Sequence, residues 1–172
     1  MKKIILLGYM GCGKSTIAHI LSAETGIAYV DLDQKIEEIE KTSINMIFQN
    51  RGEIYFRKKE HEIFVALLQS PTPLIIGLGG GTPCYANNHE LLQKENVQSF
   101  YLNASISTLY NRLKNNKSKR PLLANKDADD LKEYIAKHLF DRSYYYHQAK
   151  HKVVVDDKSI EQTVSEIIAL LA

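Results

Sequence analysis

Five short apolar runs punctuate the chain, at residues 3–8, 27–33, 73–79, 97–103 and 152–157, and polar or glycine-bearing segments separate them. Runs such as KIILLG and KVVVDD are too short and too uniformly apolar for an exposed amphipathic helix, so they predict strands covered on both faces. Between them the hydrophobic period lengthens to that of a helix. Ile17, Ile20 and Leu21 stripe a first helix, and Gly26 stands where a left-handed cap would end it. Phe56, Ile63, Phe64, Leu67 and Leu68 stripe a later one that Pro71 stops. Ser105 caps a helix carrying Ile106, Leu109, Tyr110 and Leu113, while Ser159 and Gln162 form a capping box ahead of a stripe from Ile160 to Leu171. Residues 114–130, KNNKSKRPLLANKDADD, have little periodicity until their end and read as a long loop of the kind compact domains keep for function. Strands alternating with helices predict an α/β fold with a five-stranded parallel sheet flanked by helices.

Composition narrows this picture. At 172 residues and 44% hydrophobic, the chain is expected to form one domain over residues 1–172. Lys and Arg number 22 against 20 Asp and Glu, and a net charge of +2 provides no whole-molecule field for nucleic acid or an anionic membrane. Cys12 and Cys84 sit in neither a CxxC nor a His-rich setting, which disfavours a metal site or disulfide framework and fits a reducing cytoplasm. The opening MKKIILLGYMGCGKS mimics a signal peptide, but its apolar run ends at Gly8 and Lys14 interrupts the stretch beyond it. No segment approaches the roughly 18 apolar residues needed to span a bilayer. A cytoplasmic monomer with no membrane or nucleic-acid partner is expected.

Residues 8–15 satisfy G-x-x-x-x-G-K-[ST], with an apolar strand before them and a striped helix after them. Glycines let backbone N–H groups converge on phosphate oxygens, and the helix start adds positive dipole. Lys14 can reach the outer phosphates, and the Ser15 hydroxyl can ligate Mg²⁺. The nucleotide-binding candidates are therefore Gly11, Cys12, Gly13, Lys14, Ser15 and Thr16, with Cys12 a small filler rather than a nucleophile. Asn125, Lys126 and Asp127 approach the guanine-reading N-K-x-D, but Ala128 occupies the fourth position and no strand precedes them, so a GTPase is disfavoured. The usual P-loop ATPase ends a central strand in a metal-holding Asp, whereas PLIIGLGGGTP ends in Gly79, Gly80 and Gly81. The metal-side carboxylate must come from elsewhere. Asp31 and Asp33 alternate with Leu32 at the end of the second strand and would share one face; the competing reading is a helix cap after a strand.

The ordered set GxxGxGKST, DLD, FR, GGG, RPLL and an Arg followed by Tyr and Ala resembles shikimate kinase, over residues 3–171. The resemblance implies a three-layer P-loop kinase fold with a lid at about 112–125 and a mobile substrate-binding region at about 33–61. It also implies transfer of the γ-phosphoryl of ATP, with Mg²⁺, to the 3-hydroxyl of shikimate on the route to chorismate and the aromatic amino acids. Asp33 would then hold the accepting hydroxyl, and Asp31 would act on Mg²⁺ through water. Read alone, Arg57 and Arg142 do not outrank solvated surface arginines; in the family, the matching pair clamps the substrate carboxylate, a task suited to a planar guanidinium. Glu60, three residues after Arg57, shares its helical face and could hold it, or form an ordinary surface ion pair. Gly79, Gly80 and Gly81 make a tight turn or admit close approach of backbone to a polyol, and the resemblance favours the second. Tyr144, Tyr145 and Tyr146 read as helix packing.

Residues 112–120 hold five cations and no acid. Without interleaved aromatics the run does not suit base stacking. Arg120 matches the lid arginine that approaches the transferring phosphate, Arg112 a residue near the adenine, and residues 156–159 are expected to border the base. Lys14, Asp33 and Arg120 are the catalytic candidates. A gluconate or nucleoside monophosphate kinase is the rival within the class, and an inactive nucleotide-binding relative is the rival outside it.

Overall fold

Residues 2–115 and 127–172 are described by the computed structural model. β1 (Lys3–Leu7) is buried at every position because it runs between two neighbours, β3 (Leu74–Gly77) and β4 (Val97–Asn103). β2 (Tyr29–Asp31) and β5 (His151–Val154) close the edges, so the sheet reads β2-β3-β1-β4-β5 with every pairing parallel. Even Lys3 is enclosed: its ammonium donates to the carbonyl and hydroxyl of Ser70 at 2.9 and 2.8 Å, and to the Thr72 carbonyl, tying down the approach to β3.

The helices pack on this sheet. α1 (Lys14–Thr25) ends on Gly26, whose φ of 72° is the left-handed cap expected from the sequence. α5 (Ile106–Leu113) is capped by Ser105, and α7 (Ile160–Leu171) carries the complete Ser159–Gln162 capping box. α4 (Asn88–Leu91) is a single turn, and α6 (Ala128–Tyr146) begins inside the predicted loop, capped by Asp127. α3 (Ile44–Gln69) breaks at Gly52, where φ is 86°, so the stretch carrying Arg57 and Glu60 leaves the break as its own helix.

One expectation is corrected here. The second strand stops at Asp31 and not at residue 33, and Asp33 lies in the first turn of α2 (Leu32–Glu40). Asp31 caps that helix, its carboxylate accepting the Gln34 N–H at 3.0 Å. The alternation Asp31-Leu32-Asp33 is as consistent with a cap, a buried first-turn residue and an acidic first turn as with a strand edge. The Asp31 cap on the Gln34 N–H, with Leu32 opening α2, decides for the helix. The strands read at 73–79 and 152–157 are likewise shorter at their ends than predicted.

The connections that leave β1 and β3 run in opposite directions along the sheet: β1 leads across β3 to β2, and β3 leads across β1 to β4. Adjacent strands with diverging connections open a crevice at their carboxyl ends, which is where open α/β sheets bind ligands.

Candidate active site

The crevice is a cleft of about 810 Å³. One wall is made by the loop between β1 and α1, where the sequence predicts nucleotide binding. Gly11 and Gly13 hold φ of 85° and 101°, a left-handed geometry that favours glycine and turns successive amides toward a common centre. Gly11, Gly13, Lys14, Ser15 and Thr16 all line the cleft. Lys14 Nζ donates to the Gly8 carbonyl at 2.6 Å, which holds the ammonium against its own loop. Arg112, at the end of α5, donates to the Gly11 carbonyl at 3.1 Å and lines the same wall. Cys12 is turned away: its side chain is buried in the core and its N–H is committed to the Tyr9 carbonyl at 3.1 Å. Residues 156–159 do not line the cleft; the next residue, Ile160, does.

A second group of predicted site residues gathers around Gly79, Gly80 and Gly81; Gly79, Gly80 and Asp33 line the cleft, whereas Gly81, Arg57 and Arg142 lie beside it without lining it. A Cβ at Gly79 would lie 2.9 Å from Asp33 Oδ1, one at Gly80 would lie 2.8 Å from an Arg142 guanidinium nitrogen, and one at Gly81 would lie 2.8 Å from an Arg57 nitrogen. Each glycine thus admits one of the side chains singled out in the sequence. Asp33, Arg57 and Arg142 come from α2, α3 and α6, and the triplet is the place where they meet.

Each is held. Arg57 donates to Glu60 at 2.9 Å, and its guanidinium carbon lies over the Tyr85 ring, 3.9 Å from its centre. Glu60 is only 1% exposed, and its second oxygen accepts the Thr82 hydroxyl at 2.9 Å. Thr82 is fixed in turn because its carbonyl accepts from Asn88 at 3.0 Å, and Asn88 pairs with His61 at 2.6 Å. A buried carboxylate satisfied on both oxygens is a rigid support for a guanidinium.

Tyr146 is a site residue that the sequence does not reveal. Its hydroxyl donates to the Gly80 carbonyl at 2.6 Å and accepts from Arg142 at 3.5 Å, so it links the triplet to an arginine. Three consecutive tyrosines offer no sign of which faces inward. The helical phase leaves Tyr144 exposed and buries Tyr146.

Asp33 differs from these residues. Among the described residues its carboxylate has no hydrogen-bond or ion-pair partner, although it lines the cleft together with Asp31. Burial, then the neighbouring charges of Asp31 and Glu60, push its carboxyl up to about 6, with Lys14 pulling the other way. A half-buried acid without a protein partner, beside a phosphate-binding loop, is suited to receive a hydrogen bond from a ligand hydroxyl. Arg120 and most of the expected lid, about 112–125, lie outside the described residues.

A family model described as shikimate kinase matches residues 10–172. A shikimate kinase of Flavobacterium johnsoniae is 63% identical over the full length of both chains. The crystal structure of shikimate kinase from Bacteroides thetaiotaomicron superposes with a TM-score of 0.90 at 31% identity, covering 99% of this chain and 98% of that one. Shikimate kinase from Acinetobacter baumannii, solved in complex with shikimate, superposes with a TM-score of 0.86 at 26% identity over 99% of this chain and 93% of that one. Fold, cleft and relatives coincide: the chain belongs to the shikimate kinase family.

Proposed function

We propose that this chain transfers the γ-phosphoryl group of ATP to the 3-hydroxyl of shikimate, giving 3-phosphoshikimate and ADP on the route to the aromatic amino acids. The observation that carries the reading is the glycine triplet, where one acid and two arginines converge beside the phosphate loop. That arrangement matches a substrate with a hydroxyl to be aimed and a carboxylate to be clamped. Arg57 and Arg142 would grip the carboxylate, with Glu60 bracing Arg57. The backbone of Gly79, Gly80 and Gly81 would line the polyol, and Asp33 would hold the accepting hydroxyl in line with the phosphorus and receive its proton. A loose phosphoryl-transfer transition state makes positioning and charge the larger contributions.

On the other side, the amides of the loop, Lys14 and Thr16 would hold the phosphates, and Arg112 would flank the nucleoside. Ser15 and Asp31 offer hard oxygen donors on the cleft wall, a set that suits Mg²⁺, which keeps several waters and takes one or two protein ligands. Among the described residues no group of three or more His, Cys, Asp or Glu could hold an ion unaided, so a cation delivered with the nucleotide fits these donors. Mg²⁺ bound there would neutralise charge on the phosphate oxygens. Arg120 would add a cation from a lid whose closure excludes water. The proposal includes a cytoplasmic monomer. Among the described residues no helix is long and apolar enough to cross a membrane, and the net charge of +2 offers nucleic acid no general attraction.

Purified protein given ATP, Mg²⁺ and a panel of shikimate, gluconate and nucleoside monophosphates should form ADP and 3-phosphoshikimate in equal amounts with the first acceptor alone. Turnover that prefers another acceptor, or no shikimate-dependent turnover at high enzyme concentration, overturns the reading.

A further inference from the structure

Hydrogen bonds alone do not fix the plane of Arg57. One terminal nitrogen donates to Glu60 at 2.9 Å, whereas Nε is buried and has no hydrogen-bond partner among the described residues. The exposed Glu53 approaches Nε no closer than 3.9 Å. A planar group tethered at one corner can still swing about that tether. To donate two parallel bonds to a carboxylate, a guanidinium must present a defined plane. Ring faces supply the missing constraint: the guanidinium carbon lies 3.9 Å from the centre of the Tyr85 ring and 5.1 Å from that of Phe56. Phe56 belongs to the core, but Tyr85 is 40% exposed and does not line the cleft. Its nearer contact is with the arginine.

The segment that carries Tyr85 is locked. The Thr82 N–H donates to the Gly79 carbonyl at 3.1 Å and the Cys84 N–H to the Gly81 carbonyl at 2.9 Å, winding the chain beyond the triplet into a 3₁₀ turn, Thr82–Cys84. The Asn88 N–H then donates to the Tyr85 carbonyl at 2.9 Å, closing a turn whose central residues, Ala86 and Asn87, hold φ of 50° and 54°. Left-handed backbone is costly for alanine, so it persists only where the surroundings enforce it. Buried Asn88 does so: its amide donates to the Thr82 carbonyl at 3.0 Å, and its oxygen pairs with His61 at 2.6 Å. The fold thus holds an unfavourable turn directly after the residue whose ring covers Arg57.

We propose that Tyr85 is a positioning residue for the acceptor's carboxylate: its ring face, held by the turn that follows it, sets the plane in which Arg57 meets that carboxylate. Glu60 fixes where the guanidinium sits, and Tyr85 fixes how it is turned. This inference rests on the reading of Arg57 as a clamp for the shikimate carboxylate.

The test is calorimetric titration of purified variants with shikimate and, separately, with ADP. Tyr85→Leu removes the ring face at a half-exposed position, where water and not a cavity replaces it, and should weaken shikimate binding roughly threefold to thirtyfold. Tyr85→Phe keeps the face and should stay within about twofold of the wild type. ADP affinity should hold in both. Because Tyr85 acts through Arg57, adding Tyr85→Leu to Arg57→Ala should weaken shikimate binding by less than about twofold more. Unchanged shikimate affinity in Tyr85→Leu overturns the inference, as does a loss in Tyr85→Phe equal to that in Tyr85→Leu. A full additional loss in the Arg57→Ala background, or an equal loss of ADP affinity, overturns it too. Absence of shikimate binding by the wild type would instead overturn the underlying reading of the acceptor pocket.

Discussion

On the nucleotide side of the cleft, eight consecutive residues, 8–15, make the cradle almost entirely from backbone. On the acceptor side, Asp33, Arg57 and Arg142 arrive from three helices and meet only because three glycines leave room for them. The first side, in the function proposed, would recognise phosphate, a group common to many ligands, with amides that any residue can supply once the turn is formed. The second, in the function proposed, would recognise a particular arrangement of hydroxyl and carboxylate, and needs side chains of defined type in defined places. Generic binding can be local in sequence, whereas discrimination here depends on the whole fold.

If the two sides are separable, damage to one should leave the other intact. The largest effect is expected at their junction. Asp33→Asn should lower kcat by about 10²–10⁴-fold, the usual range for a positioned acid or base, with ATP affinity little changed. The same variant should be more stable than the parent at pH 8. The Asp33 carboxyl is raised from the ordinary 3.8 to about 6, so its contribution to stability is fully present below the ordinary value and is lost as pH rises through about 6. The ionised group then costs the fold on the order of 2–3 kcal/mol. Melting temperatures at pH 8 and pH 4 check this: the gain at pH 8 should vanish at pH 4.

Next in size is Gly81→Ala. The added methyl meets the tip of a flexible Arg57 and not backbone, so folding should be nearly unaffected. Displacing a charge-assisted contact worth about 1.5–3 kcal/mol should raise KM for shikimate roughly 10–100-fold. KM for ATP should hold. A comparable loss of ATP affinity would show that the two sides are not independent.

The legibility of the sequence divides along the same line. The phosphate loop is readable because its motif is contiguous and its flanking strand and helix have clear periods. Arg57 and Arg142 stand out only by resemblance, since a lone arginine on a helix looks alike whether it faces solvent or a ligand. Tyr146 and Thr82 are invisible for a related reason: each acts through a contact far along the chain, with the Gly80 carbonyl and Glu60 respectively. Asp33 lines the cleft as its sequence position suggests, but from a helix instead of a strand, because an acid two residues beyond another satisfies a strand edge and a helix start equally.

Smaller effects sharpen the comparison. The pH dependence of kcat/KM for shikimate should fall about tenfold per pH unit on the acid side of about 6, as Asp33 takes a proton and ceases to accept the substrate hydroxyl. Asp33→Asn should lack this limb. Thr82→Val removes the hydroxyl that satisfies Glu60, so a loss of about 1–3 kcal/mol in stability is expected by denaturant titration, with a rise of a few-fold in KM for shikimate.

The central claim, that separate structures grip the two substrates, is tested most directly by calorimetric titration of Arg57→Ala with shikimate and, independently, with a nucleotide. Removing a guanidinium that clamps a carboxylate should weaken shikimate binding by about 2–5 kcal/mol, at least thirtyfold, while nucleotide affinity stays within twofold. Equal weakening of both, or shikimate affinity unchanged, would contradict the account.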